Sequence, residues 1–316
     1  MEQILIHLFI FNFRIMKTFL IKVVLFFVIV ICCLTLLLHY YGRYADPFYE
    51  KFTTPKQFSM ILGDSRSLQG IRPQVLDSTL KNDKYKLPTY NFSFTIKQAA
   101  YGNSYLEAVK KKLDFSANNQ LFILTVNPWM LANRTPKDPI ESDSILLTDP
   151  PYNMGNMTMK PNFEYFIKNY RFFDFESIYK RSNELHKNGW MEPNVGPYSR
   201  AEFLEWRNNN IELYKERAKE SRISNYRLSG LHKTITYLKR YGRVILVRMP
   251  IDNEILEVEN KFWYNFDSAI ENIAKPETID YFNFSVNKWS TYDGQHLDNV
   301  GSSLFTRVLS DSIKKR

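Results

Sequence analysis

Cysteine is nearly missing from this chain of 316 residues: there are two, Cys32 and Cys33, side by side in its most apolar stretch. The remainder has no material for a disulfide framework or a thiolate metal site. The histidines are scattered without the carboxylate spacing of a metal centre, so no metal is expected. No glycine-rich phosphate loop appears, which argues against nucleotide use, and no cofactor is expected. Charge of one sign is never concentrated. The net charge is +9, yet the longest cationic runs are Lys110-Lys111-Lys112 and Lys314-Lys315-Arg316. A dispersed excess does not mark a nucleic-acid groove. It suits an anionic neighbourhood, such as a membrane surface or an acidic polymer, and equally a merely soluble surface. Repeats and low-complexity tracts are also lacking.

Apolar residues are plentiful, at 44% of the chain, enough for a substantial core. Val23 to Leu38, "VVLFFVIVICCLTLLL", carries no charge. Extended to residues 18–41 it is long enough to cross a bilayer, which takes roughly 20 residues. Lys22 can snorkel at one end, and Tyr40, Tyr41 and Tyr44 suit the opposite interface. No small-x-small cleavage site lies between Leu38 and Asp46, so an uncleaved anchor is favoured over a signal peptide. Basic residues flank both ends and do not orient the span. The plan of a short tail (1–17), an anchor (18–41) and a large domain (42–316) implies a single-pass membrane protein with the domain outside the cytoplasm.

Beyond Pro47, strand-like and helix-like stretches alternate. Phe58–Leu62, Leu87–Phe94, Leu121–Val126, Arg243–Val247 and Thr278–Phe284 read as strands. The runs "LFILTV" and "RVILV" are continuously apolar, as strands covered on both faces must be. Gln98–Leu113, Tyr226–Tyr241, Glu254–Ala274 and Asn299–Lys315 have helical spacing. This predicts an α/β fold: a three-layer sandwich around a mainly parallel, flavodoxin-like sheet. Residues at about 130–221 break the rhythm with Pro136, Pro139, Pro150, Pro151 and Pro161, an aromatic stretch and a polar helix from Arg200 to Lys219. They read as a mostly helical insertion over one sheet edge, its aromatics more core-like than base-stacking.

In open parallel sheets, ligands bind beyond the carboxyl ends of the strands. Those ends deliver Gly63-Asp64-Ser65, then Asn91 and Ser93, then Asn127, then Arg248, and finally the segment "TYDGQHLDNVG". Asp293 and His296 lie three residues apart in that last segment. A carboxylate so placed can hold one imidazole nitrogen while the other accepts a serine proton. A lone Ser65 would more often cap a helix; the late Asp-x-x-His pair raises it to a candidate nucleophile. Arg66 and Arg248 are candidates for holding an anionic substrate group, with structural ion pairs as the alternative for both.

The blocks "ILGDSRS" and "DGQHLDNVG" resemble the first and last sequence blocks of the SGNH/GDSL hydrolases, in particular the membrane-anchored branch acting on cell-envelope polymers. The resemblance covers roughly 55–128 and 243–314. It implies Ser65 as nucleophile, His296 as base and Asp293 as its partner. The oxyanion donors it implies are the N–H groups of Ser65 and Ser93 and the Asn127 amide. Ser93 stands where the family usually has glycine, and Thr125-Val126-Asn127-Pro128 where it usually reads Gly-x-Asn-Asp. The implied activity is an esterase or O-acyltransferase working through an acyl-enzyme on an acylated glycan or a lipid-linked polymer. The alternative is a non-catalytic scaffold with the same fold in envelope assembly.

Overall fold

The structure, a computed structural model, describes residues 2–133, 142–170, 183–286 and 289–316. The chain opens with helix α1, Glu2–Ala45, whose segment Phe13–Tyr44 is long and apolar enough to cross a membrane. Its end is docked on the body that follows. Leu38 is buried, Leu34 packs beside it, and the Tyr170 hydroxyl donates to the Gly42 carbonyl. Strand β1 (Ser59–Leu62), helices α2 (Ser65–Gly70) and α3 (Pro73–Leu80), and strand β2 (Thr89–Asn91) come next. Helix α4 (Asn103–Lys112) and strand β3 (Gln120–Thr125) close the first half. The insertion contributes α5 (Phe163–Asn169), the antiparallel hairpin β4 (Asn183–Leu185) and β5 (Met191–Pro193), and α6 (Arg200–Glu220). Then follow α7 (Asn225–Leu238), β6 (Gly242–Arg248), α8 (Asn253–Phe262), α9 (Phe266–Ala274), β7 (Asp280–Asn283) and α10 (Asn299–Lys314).

The main sheet is parallel throughout, in the order β2-β1-β3-β6-β7. The two-residue period of a strand sends alternate side chains to opposite faces. Met60, Leu62, Phe122, Leu124, Val244 and Leu246 join one core with Val109 of α4, Ile235 of α7 and Ile270 of α9. Ile61, Leu121, Ile123, Ile245 and Val247 join the other with Leu76 of α3 and Leu309 of α10. Helices thus cover both faces, which is why these strands read as unbroken apolar runs. The fold is a three-layer α/β sandwich. Its strand order reverses between β1 and β3, so a crevice opens beyond their carboxyl ends.

Local differences from the sequence reading have physical causes. The expected helix 254–274 is two helices, because Trp263 turns into the core and meets Phe266 edge-on at 5.2 Å. The second strand is laddered only over Thr89–Asn91, although the N–H groups of Phe92 and Phe94 still bond Ile61 and Gly63 carbonyls. Helix α4 starts at Asn103 rather than Gln98. The insertion reaches the β2 edge, where Asn91 N–H donates to the Asn188 carbonyl, and also the far side of the crevice, where α6 packs on α8. Pro136, Pro139 and part of the aromatic stretch lie outside the described residues.

Two fully buried lysines tie these parts together. Lys51 Nζ donates to the carbonyls of Asn91 and Gly189, and Lys112 Nζ lies 2.6–2.8 Å from Thr54 O, Thr54 Oγ1 and Met157 O. Burial brings the Lys112 ammonium down to about 7, and burial with the Lys112 charge lowers Lys51 well below its ordinary value. The unfolded chain keeps these protons up to 10.5, so above about pH 7 it binds more protons than the folded one. Stability therefore rises with pH across that window and is lowest below it. Lys112→Met is expected to give a shallower rise in melting temperature between about pH 7 and 9 than the parent shows. An unchanged slope in thermal unfolding contradicts the assignment.

Candidate active site

Strand β1 ends at Leu62, and the chain turns at Gly63 into α2. A Cβ at Gly63 would lie 1.8 Å from Thr125 Oγ1 and 2.3 Å from Ser67 Oγ, so no side chain fits there. The turn lets Asp64 cap α2 by accepting the Arg66 N–H at 3.1 Å. Ser65, the first residue of α2, is partly exposed above the carboxyl ends of β1 and β3. From the other end of the chain, the loop before α10 brings His296 to it. Ser65 Oγ lies 2.8 Å from His296 Nε2, and His296 Nδ1 lies 2.8 Å from Asp293 Oδ2.

The proton positions follow from the partners. A carboxylate only accepts, so Nδ1 carries the proton to Asp293, and Nε2 is left to accept from the Ser65 hydroxyl. Burial works against ionised Asp293, but the His296 charge and ring N–H, with the N–H groups of Gln295 and His296, hold its pKa below the ordinary carboxylate value. Gly294 makes the tight bend at φ +87°, with Arg207 and Ile255 packed against its α-carbon face. The ring is also stacked on Tyr292, whose hydroxyl donates to Gln69 Oε1 at 2.8 Å. Gln69 lies one turn along α2 from Ser65, so α2 engages the His296 loop at two points.

Asn127 follows β3 and is buried beside Asp64. Its Nδ2 donates to Asp64 Oδ2 at 2.6 Å, and its Oδ1 accepts the Met130 N–H. Amide orientation is thereby fixed, with one Nδ2 hydrogen committed. Ser93 sits elsewhere. Its N–H donates to Asn91 Oδ1 at 3.1 Å, and its fully buried hydroxyl lies 2.9 Å from Ser67 Oγ under the turn. The expectation that the Ser93 N–H faces the crevice as a free donor therefore meets a group already satisfied within its own strand end. Asn91 itself does not reach the crevice; its Nδ2 bonds the Ser67 and Ile71 carbonyls at the end of α2.

Arg66 and Arg248 are both buried and both paired, which removes them from the anion-holding role considered for them. Arg66 Nη2 lies 2.8 Å from Glu259 Oε1, and Arg248 Nη2 lies 3.0 Å from Glu259 Oε2. Arg248 Nη1 also meets Asp267 Oδ2 at 2.8 Å. The buried Glu259 of α8 and the partly exposed Asp267 of α9 pair with these charges, as the ion-pair alternative required.

No protein-family profile matches this sequence, and no curated protein does. Several solved structures are similar to it at low identity. An aryl esterase from M. smegmatis is 9% identical, with 82% of this chain and 99% of that one covered and a TM-score of 0.38. A carbohydrate acetylesterase family member from Sinorhizobium meliloti is 10% identical, with 82% and 98% covered and a TM-score of 0.37. A lipase/acylhydrolase from Enterococcus faecalis is 10% identical, with 82% and 97% covered and a TM-score of 0.37.

Several supporting residues escaped the sequence reading. Asp64 stood in the quoted motif, but its bond to Asn127 spans 63 positions and leaves no local trace. Glu259 is one acidic residue among several in an amphipathic helix. Its burial between two guanidiniums gives the strongest test of this framework. Removing one member of such a cluster leaves buried charge uncompensated and typically costs about 3–5 kcal/mol. Glu259→Ala is expected to lose stability on that scale in denaturant unfolding, with a loss under about 1 kcal/mol ruling out the ionised network.

Proposed function

We propose that this chain is a serine ester hydrolase or O-acyltransferase of SGNH type. The observation that carries the reading is the continuous relay from Ser65 Oγ through His296 to Asp293, with 2.8 Å at each step. In this reaction the Ser65 oxygen attacks an ester carbonyl carbon as His296 Nε2 takes its proton. Asp293 holds the ring tautomer and stabilises the imidazolium. The tetrahedral oxyanion is met by the Ser65 N–H, which has no carbonyl partner within the first turn of α2, and by the Nδ2 hydrogen of Asn127 not given to Asp64. His296 then returns the proton to the departing alkoxide, leaving an acyl group on Ser65. A water or a sugar hydroxyl, deprotonated by the same imidazole, takes the acyl group and restores the serine.

The wider setting is part of the proposal. Helix α1 supports membrane attachment by a single span, with the α/β domain outside the cytoplasm. An acylated envelope glycan or lipid-linked polymer is the substrate class, supported by the sequence resemblance and by a net charge of +9 that suits an anionic surface. One observation favours the non-catalytic alternative, an envelope-assembly scaffold: the N–H of Ser93 is engaged by Asn91, so one oxyanion donor of the family pattern is not free.

The detergent-solubilised full chain is expected to react covalently with a fluorophosphonate probe, and Ser65→Ala is expected to abolish labelling. Absence of labelling in the folded parent protein favours the scaffold. Asn127→Ala should lower kcat on a small acetyl ester by ~10²–10³ with the fold retained, the usual effect of losing one oxyanion donor. A kcat within threefold of the parent removes Asn127 from the oxyanion site.

A further inference from the structure

Helix α6 belongs to the insertion, the part of the chain that the sequence resemblance leaves uncovered, yet one stripe of it runs along the Asp293–His296 loop. Arg207, Asn210 and Tyr214 share a face by their three- and four-residue spacing. Asn210 Nδ2 donates to the Asp293 carbonyl at 2.9 Å. The Arg207 stem lies against Gly294, where an added Cβ would come within 2.7 Å of Arg207 Cγ. The Tyr214 hydroxyl donates to Gln295 Oε1. Three consecutive loop residues are thus gripped by three residues of one helix face.

Tyr214 does more than its two neighbours. Its hydroxyl also accepts from Arg66 Nη2 at 3.4 Å, and its ring is stacked on Trp129 at 4.9 Å and 12°. Arg66 follows Ser65, Trp129 lies two residues past Asn127, and Gln295 precedes His296. One buried side chain therefore touches all three segments that bring nucleophile, oxyanion amide and base together. We propose that Tyr214 is a positioning residue that sets the Ser65–His296 contact, so that the insertion is a working part of the site. The inference rests on the ester-transfer reading for its effect on turnover, although the grip itself does not. The hydroxyl stays protonated, since burial raises its pKa despite the Arg66 charge, and so it remains a donor to Gln295.

Tyr214→Phe keeps the ring on Trp129 and removes both hydroxyl contacts; Gln295→Ala removes the same hydrogen bond from the loop side. Each is expected to lower kcat on a small acetyl ester about five- to tenfold with KM unchanged, the scale of one hydrogen bond. The double variant should be no slower than the slower single one, because the hydrogen bond that Gln295→Ala deletes is already gone in Tyr214→Phe. Unchanged kcat, or effects that multiply, overturns the proposal. If Tyr214→Phe does not fold, Gln295→Ala alone carries the comparison. Failure of the ester-transfer reading is separable: it appears as an unlabelled Ser65 in the parent protein. The grip is then judged by hydrogen exchange at the Gln295 and His296 amides, which should quicken about five- to tenfold in Tyr214→Phe while the β3 amides do not change. Equal exchange in parent and variant overturns it.

Discussion

A single hydrogen bond, from the Ser65 hydroxyl to Nε2 of His296, joins residues 231 positions apart and sets the demands on everything around it. Neither partner can be placed by its local segment alone. Ser65 needs a sharp exit from β1, which only a side-chain-free Gly63 permits above the Ser67 and Thr125 hydroxyls. His296 needs a loop held against drift, and the loop is held from three directions. Asp293 fixes the ring from within, Tyr292 and Gln69 tie it to α2, and Asn210 and Tyr214 tie it to α6. Held in this way, the ring keeps Nε2 within hydrogen-bond reach of the Ser65 hydroxyl.

Charge is distributed to serve the same end. A chain of charges runs from buried Arg66 through buried Glu259 and Arg248 to the partly exposed Asp267. Taking such charges out of water is costly, and their mutual attraction offsets that cost only when the partners are well placed. The chain links the start of α2 to α8, α9 and the end of β6, and so locks the helix that carries Ser65 to the far half of the sheet. Arg66 stands in the first turn of α2, a position that the helix dipole disfavours for a cation. Glu259 supplies the compensation.

Much of this was legible in the residue order, for definable reasons. The layers were readable because strands covered on both faces must be apolar without interruption, as "LFILTV" and "RVILV" are. The meeting of Ser65 with His296 and Asp293 was readable because the strand-end rule assigns them one crevice. The second strand end was misjudged at Ser93, because an N–H exposed in the pattern is closed by the side chain of Asn91 two residues earlier. The part played by α6 was not readable. Its residues 200–220 lack a regular apolar face, and its grip on Asp293, Gly294 and Gln295 comes from two single hydrogen bonds and one side-chain stem over more than eighty positions.

Helix α1 runs without a break into the body, with Leu38 buried, Gly42 pressed against Tyr49, and Tyr165 bonded to Asp46 just beyond the helix end. The candidate span Phe13–Tyr44, at 1.5 Å per residue, is longer than the roughly 30 Å hydrocarbon thickness of a bilayer, and its last turns are the docked ones. No slack segment separates the apolar helix from the α/β body. Helix and α/β body are therefore one continuous piece, and the distance from the start of the apolar segment to the Ser65 crevice is set by the length of one helix.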